Sequence, residues 1–505
     1  MGEVKSSGKN IPFFRQCFVT AGVALNIIAH GAVIGFSAIL IPSLRRPESH
    51  IQATPAQESS IASVVGIALI VGNLVMTAMM STLGRKKAHL ATILPILMGW
   101  FAIIMANSVA ALIAARFLQG VSMGMLGPLG SIIVAEMTHP RNRGAFLTSV
   151  SLSLTIGVLF CHSLGTYLSW QRCALVCSFI TFSSLIMIIF SPESPSWLIS
   201  KGRYEEATEV FRWLRGEGED DDELESMIKG QQMVRKSSVA GMELPLSLRL
   251  KRAFLYFTST IQKPEFFKPI LIMLFLYTMF QFAGINVISS YAMDIIKELV
   301  GPEANAKMLM VALDVERLIC NIIAVFLMRS FKRRTVLFGS GFICVLAYVS
   351  KGGYVYAKHN SMLPAAIQGE WFPLTLIGVY MFSLTIGISS VPFAISGEIF
   401  PLEYRGLGGG LSVLPLSLNF FVAVKCFPVL NNAMGLPLTY CLYAAMVTVC
   451  LTFLYFMLPE TKDRTLQDIE DTFRGVNPAD RRVSEPLNGK PGPEMMRRCS
   501  SHILY

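Results

Sequence analysis

Charge is what this sequence has least of. Asp, Glu, Lys and Arg make up only 15% of its 505 residues, against about 25% in an ordinary globular domain. A water-facing surface needs more than that, so a string of soluble domains is excluded despite the length. No Asn-x-Ser/Thr sequon occurs, so N-glycosylation is not expected. No phosphate-cradling P-loop and no motif for covalent chemistry is present, so neither ATP hydrolysis nor any enzymatic reaction is expected. The ten Cys show no metal-ligand spacing. They read as small apolar packing residues, with no disulfide, metal or cofactor implied.

What remains is apolar. Hydrophobic residues make up 53% of the chain, and the mean hydropathy is +0.53. About 20 apolar residues in a helix cross the hydrocarbon core of a bilayer. Twelve such runs lie near 17–43, 59–82, 88–107, 110–135, 145–168, 173–191, 267–298, 307–328, 335–356, 372–399, 407–430 and 436–458. Each must satisfy its backbone hydrogen bonds internally, so all are expected as helices. The first is too long for a signal-peptide core and is expected to be retained. The fold expected is an all-α multi-pass membrane protein.

The net charge of +10 reports topology rather than nucleic-acid binding. Arg85-Lys86-Lys87, Arg141, Arg143, Lys332-Arg333-Arg334 and Arg405 fall in alternate loops. Lys and Arg in short loops favour the cytoplasmic side, which puts both termini and the segment 193–266 there. Arg45, Arg46 and Arg172 are exceptions.

The segment "AEMTHPRNRG" has a counterpart in "GEIFPLEYRG": Glu136 and Arg143 match Glu398 and Arg405, 262 residues on. "LGRKK" matches "FKRR", and "SPESPSWL" matches "LPETKDRTL", in the same order. Three boxes repeated in order mark an internal duplication, the signature of a transporter built from two six-helix bundles. The organisation expected is therefore 1–16 as a cytoplasmic N-terminus, 17–192 and 267–458 as the bundles, 193–266 as a cytoplasmic helical loop, and 459–505 as a cytoplasmic tail. The tail is expected to be largely disordered after about 474. In the middle, "GRYEEATEVFRWLRG" places Tyr204, Ala207, Val210, Phe211 and Leu214 on one helical face.

Charged groups at helix ends, paired in only one state, bias one face of such a protein closed. Arg85, Arg116, Glu136, Arg143, Glu193, Arg333, Arg334, Glu398, Arg405 and Glu460 are the candidates for that cytoplasmic gate. The alternative is that they only orient the helices.

The strings "LGRKK", "ARFLQG", "EMTHPRNRG", "PESPSWL" with "KGRYEEA", "QFAGIN", "GEIFPLEYRG" and "LPETKDRTLQDIE" resemble those of the sugar porter family of the major facilitator superfamily. The resemblance runs from the second span to the tail and is closest to insect trehalose-transporter-like members. It implies the twelve-helix major facilitator fold, alternating access around a central sugar site, and four short helices in the middle loop. It also implies a monomeric functional unit in the cell membrane, with a small sugar and the lipid bilayer as partners.

The sugar-binding signature departs from the family in several places. "FQFAGIN" keeps Gln281 and Asn286 but has Phe280 where the family has Gln. Ser151 stands at the Gln position of span five, and Phe393 replaces a Trp in span ten. Span eight, "VALDVERLICN", carries three charges at membrane depth, which marks a functional candidate. Arg317 lies 12 residues before Arg329, roughly 18 Å up the helix. It matches a family position that faces the cavity. Arg317 as a reader of an anionic or polar solute is one expectation. Proton uptake by Asp314 or Glu316 is another, and an Asp314–Arg317 pair lining a watery vestibule is a third. Ser37, where proton-coupled members carry Asp, favours facilitated diffusion. A non-transporting sugar sensor is the remaining alternative.

Overall fold

A computed structural model describes residues 11–216, 221–239, 255, 258–364, 367–401, 405–462, 464 and 466–474. The tail after 474 therefore lies outside the described residues. Among those residues every regular element is a helix. The first bundle is α1 Ile11–Leu44, α2 Pro55–Leu83, α3 Arg85–Ile104, α4 Val109–Met137, α5 Pro140–Tyr167 and α6 Trp170–Phe190. Three short helices follow: α7 Pro195–Ser200, α8 Tyr204–Arg215 and α9 Asp221–Val239. The second bundle is α10 Pro264–Phe282, α11 Ile285–Leu299, α12 Ala306–Ser330, α13 Arg333–His359, α14 Trp371–Ser383, α15 Val391–Glu398 and α16 Arg405–Met457, with α17 Leu466–Arg474 after it.

Among the described residues, ten stretches are long and apolar enough to cross a bilayer. The longest, which includes most of α16, holds two spans. Gly435 breaks it at φ 79°, and the Tyr443 hydroxyl donates to the Ala423 carbonyl at 3.0 Å, so the chain doubles back. α12 falls short by composition because Asp314, Glu316 and Arg317 crowd its centre. It is nevertheless a continuous 25-residue helix, which brings the spans to twelve. Large apolar side chains such as Phe179, Phe190, Phe326, Phe342 and Phe456 remain exposed, as a lipid-facing surface requires.

Span ends are set by local chemistry. Thr54 and Gln57 form a capping box at α2, and Ser108, Ser169 and Ser194 cap α4, α6 and α7. Inside the first bundle, glycines let backbones meet. A Cβ on Gly31 would lie 2.2 Å from the Leu154 carbonyl oxygen, and one on Gly157 2.1 Å from that of Ile28. α1 and α5 thus cross in direct backbone contact, the usual device where lipid supplies no hydrophobic drive.

Two spans are discontinuous, contrary to the single helices expected at 267–298 and 372–399. α10 stops at Phe282, and Gly284 adopts φ +89° before α11 begins. Between α14 and α15 the chain widens into a π-type turn over Leu384–Ser389. Such breaks free backbone groups at mid-membrane, and they survive only where other groups satisfy them. At the first break they are satisfied: the Ala283 carbonyl accepts from Tyr348 at 2.7 Å and from Tyr380 at 2.6 Å.

The amphipathic helix expected in the middle segment is α8, with Ala207, Phe211 and Leu214 buried. It docks on α1: Arg15 donates to the Trp213 carbonyl at 3.0 Å, and Gln16 to that of Leu214 at 2.9 Å. This end of the molecule is called the loop face below, and the opposite end the far face.

Candidate functional site

The repeated boxes build the same device twice at the loop face. In the first bundle, Arg85 grips Glu136 with two bonds, at 2.9 and 2.8 Å. Ser194 donates to the same carboxylate at 2.5 Å. Glu193 accepts from the backbone N–H of Arg85 and Lys86, at 2.8 and 3.1 Å, capping α3. In the second bundle, Arg333 reaches Glu398 at 3.3 Å and Thr461 donates to it at 2.6 Å. Glu460 accepts from the N–H of Arg333 and Arg334, at 3.0 and 3.1 Å, capping α13. Both arginines also donate to a carbonyl five residues earlier, Met80 and Met328. Burial pushes the Glu460 carboxyl up, but four backbone N–H donors outweigh it and hold it below the usual range. Arg334 adds a bond to the Tyr455 carbonyl at 2.9 Å and lies over the Phe338 and Tyr455 rings.

Each device sits inside one bundle. The expected gate groups therefore lock helices within a half rather than one half to the other. Arg143 is in the first turn of α5, its Nε buried and without a hydrogen-bond partner among the described residues. Arg405 begins α16, but its side chain lies outside the described residues. Arg116 does not belong to this layer. α4 runs from the far face to the loop face, and Glu136 is 20 residues further along it, about 30 Å away. Arg116 is instead fully enclosed, donating to the Val33 carbonyl at 2.6 Å, Ser37 at 2.9 Å and Gln119 at 3.0 Å.

The bundles meet through polar contacts that run from the far face to mid-membrane. Arg45 bridges Glu58 at 2.7 Å and Asp294 at 3.0 Å. The hydrogen bonds it donates to the Glu58 carboxylate push the pKa of the Arg45 guanidinium further up. Lys307 donates to the Thr166 carbonyl at 3.1 Å. Lys425 crosses to α2, donating to Ala56 O at 3.0 Å and Ser60 at 2.6 Å. His162 meets Asp314 at 2.5 Å, and Asn321 donates to Thr155 at 2.9 Å. Among the described residues, no hydrogen bond or ion pair joins the two bundles at the loop face. Near that face, a Cβ on Gly144, Gly397, Gly409 or Gly410 would meet open space.

Midway, the broken span gathers the residues expected to read a solute. Asn286 donates to the Gln281 side chain at 2.7 Å across the break, and Gln281 donates to the Leu416 carbonyl at 3.2 Å. Phe393 is half exposed and stands edge-on to Phe280, with centroids 5.4 Å apart. Tyr277 is 5.9 Å from the same ring. Two amides beside an open aromatic ring offer what a polyhydroxylated ring needs, donors and acceptors on one side and a flat apolar face on the other. Asn419, bonded to Thr278 at 2.9 Å, belongs to the same layer and was not anticipated. Ser151 is in α5, with its side chain outside the described residues.

The span-eight charges separate. Asp314 takes His162 rather than Arg317 as its partner, because α5 presents an imidazole to it across the bundle interface. Arg317 donates to Ser289 on α11 at 3.0 Å and is 6% exposed. Glu316 is only partly buried, and its carboxylate lies against Gly378 of α14.

One buried cation went unnoticed in the sequence. Lys351 is 2% exposed and sits over the rings of Tyr348, Tyr380 and Tyr440, at 4.5, 3.3 and 4.6 Å. Two of these tyrosines hold the Ala283 carbonyl, so Lys351 stiffens the frame of the break. A lysine within "LAYVSKGGYVYA", amid tyrosines at helical spacing, was the available signal.

The family model described as "Sugar (and other) transporter" matches residues 17–473. The chain belongs to this sugar transporter family. Members of the family are transporters, not enzymes. Among similar curated proteins is the facilitated trehalose transporter Tret1 of Aedes aegypti, 27% identical over 474 residues. That match covers 93% of this chain but only 56% of the relative, so the chain spans little more than half its length. The protein of the same name from Culex quinquefasciatus is 27% identical over 486 residues, covering 95% of this chain and 90% of that one. Among solved structures, the inward-open xylose transporter XylE of E. coli superposes with a TM-score of 0.71 at 17% identity, covering 90% of this chain and 99% of that one. The proton:xylose symporter XylE bound to 6-bromo-6-deoxy-D-glucose superposes with a TM-score of 0.67 at 19% identity, covering 92% and 99%. This sugar transporter family member has the twelve-helix major facilitator fold and is an integral, multi-pass membrane protein.

Proposed function

We propose that the chain is a facilitative sugar transporter of the cell membrane that works by alternating access. Its substrate class is trehalose or a hexose, and its functional unit is the monomer. The loop face, with both termini, is cytoplasmic, as its excess of Lys and Arg favours. The observation that carries the reading is the Gln281–Asn286 amide pair beside the Phe280–Phe393 rings at a helix break. Among the described residues, the polar contacts between bundles run only from the far face to mid-membrane, which supports reading the arrangement as inward-open.

The residues then divide by role. Gln281 and Asn286 bind sugar hydroxyls, and Phe393 receives the C–H face of the ring, with Phe280 behind it; Ser151 of α5 remains the expected contact from the first bundle. Arg317 braces α11 through Ser289 rather than reading an anion. The Glu136 and Glu398 devices keep each half rigid while the halves rock. Uptake into proteoliposomes tests this with trehalose, glucose, fructose and an organic anion, with and without a pH gradient. Saturable sugar uptake, weakened by Gln281→Ala, is expected. Anion-only uptake would move Arg317 into the binding site. Ligand binding without flux would make the chain a sensor.

A second reading, proton-linked transport, is favoured by one contact. Both ring nitrogens of His162 face oxygens, Asp314 Oδ2 at 2.5 Å and the Gly35 carbonyl at 3.1 Å. The contact places an acid–base pair on the seam between the bundles. Separation of the bundles breaks the contact and opens both groups to proton exchange. Sugar accumulation driven by an inward proton gradient, abolished by Asp314→Asn, would establish this reading over simple diffusion. Glu316, turned toward α14, would then have no part in it.

A further inference from the structure

Far from the central layer, the fold brings together three cysteines that the sequence keeps apart. Cys161 is near the far end of α5, and Cys173 and Cys177 occupy successive turns at the start of α6. All three are buried, and their sulfurs lie within 4.8 Å of one another. The Cys161 and Cys173 sulfurs are 3.9 Å apart, too far for a disulfide. The tight turn between α5 and α6, capped by Ser169, fixes this juxtaposition.

We propose that Cys161, Cys173 and Cys177 form a three-coordinate site for a soft monovalent metal ion of the copper(I) class. Geometry, donor type and charge each support it. Three sulfurs around one ion at a metal–sulfur distance of ~2.3 Å stand about 4.0 Å apart. The observed spacing needs only a small contraction to reach that. Thiolate donors select soft ions. A zinc ion needs a fourth ligand, and the nearby imidazole, His162, has both nitrogens engaged, with Asp314 and Gly35.

Charge accounts for the valence. One copper(I) held by three thiolates carries a net charge of −2, and binding releases three protons to water with no electron transferred. The buried guanidinium of Arg116 lies within electrostatic reach of Cys161 and offsets part of that charge. On the far face an open pocket is lined in part by Ile39, Gly165 and Trp170, and it offers the route of access. Trp170 is three residues before Cys173.

The test uses the purified, reduced full-length protein and copper(I) buffered by bathocuproine. Wild type is expected to retain one equivalent. Cys161→Ser, Cys173→Ser and Cys177→Ser should each weaken retention at least a hundredfold, while Cys450→Ser, at a buried cysteine elsewhere, should leave it unchanged. X-ray absorption on the wild type should show three sulfur neighbours and no nitrogen, which keeps the proposal testable if a variant fails to fold. Loss of copper from wild type to the chelator would overturn it. So would equal retention in the three variants, a two-sulfur spectrum, or a Cys161–Cys173 disulfide in place of metal uptake.

Discussion

Replacing Asp314 by Asn should shift the protein from its loop-open toward its far-open state. Of the ion pairs that hold the bundles together, Arg45–Asp294 is exposed, with side chains 45% and 36% accessible. Such pairs contribute about 0–1 kcal/mol. His162–Asp314 is 1% and 8% accessible, and a charge-assisted bond there contributes about 1.5–3 kcal/mol. Asn retains a neutral hydrogen bond of about 1 kcal/mol, so the net loss is about 0.5–2 kcal/mol. The ratio of far-open to loop-open molecules should rise about 2- to 30-fold. Spin labels at Glu48 and Glu303, both exposed at the far face, report it by pulsed dipolar spectroscopy in a background with the exposed Cys441 replaced. Wild type should give mainly the short distance, and Asp314→Asn a growing long one. An unchanged distance distribution, or a larger effect from Arg45→Gln, would refute the assignment of the main latch to His162 and Asp314.

Removing an amide from the central layer by Gln281→Ala should raise the KM for sugar about tenfold, through a lost hydrogen bond and a freed Asn286, as uptake kinetics would read. Glu136→Gln should lower thermal stability in detergent by about 1–2 kcal/mol, and Glu398→Gln by less, because Arg85 holds its partner with two bonds and Arg333 with one. Glu460 has a folded-state pKa held below its ordinary value. Its contribution is complete above the usual carboxylate range, about 4.3, and is lost as pH falls through the lowered value. Melting scans between neutral and acid pH should therefore flatten in Glu460→Gln. Gly284→Ala should cost about 1–2 kcal/mol for a left-handed backbone alone. Its Cβ would also lie 2.4 Å from the Tyr348 hydroxyl and 2.6 Å from that of Tyr380, so both transport and folded yield should fall.

Membrane character, twelve spans and twofold repetition were all decided locally by the sequence. A 20-residue apolar run must be a helix in lipid wherever it sits, and duplicated boxes betray duplicated bundles without any knowledge of contacts. The amide pair was legible too, since Gln281 and Asn286 lie five residues apart on one segment. What sequence could not decide was every relation between segments. Arg116 looks like a partner for the loop-face boxes, yet packing against α1 gives it Val33 and Ser37 instead. Asp314 looked like the partner of Arg317 by helical spacing, yet α5, some 150 residues away, supplies His162. Glu136 and Glu398 proved to lock each half internally because their arginines start the neighbouring helices of the same bundle. The breaks at Gly284 and Leu384–Ser389 were hidden inside apolar runs, where periodicity reports burial and not backbone geometry. Lys351 and the three cysteines read as isolated residues until packing surrounded the one with tyrosines and gathered the others. Burial in lipid is a property of composition, whereas pairing depends on which helix faces align, and only the folded bundle fixes that.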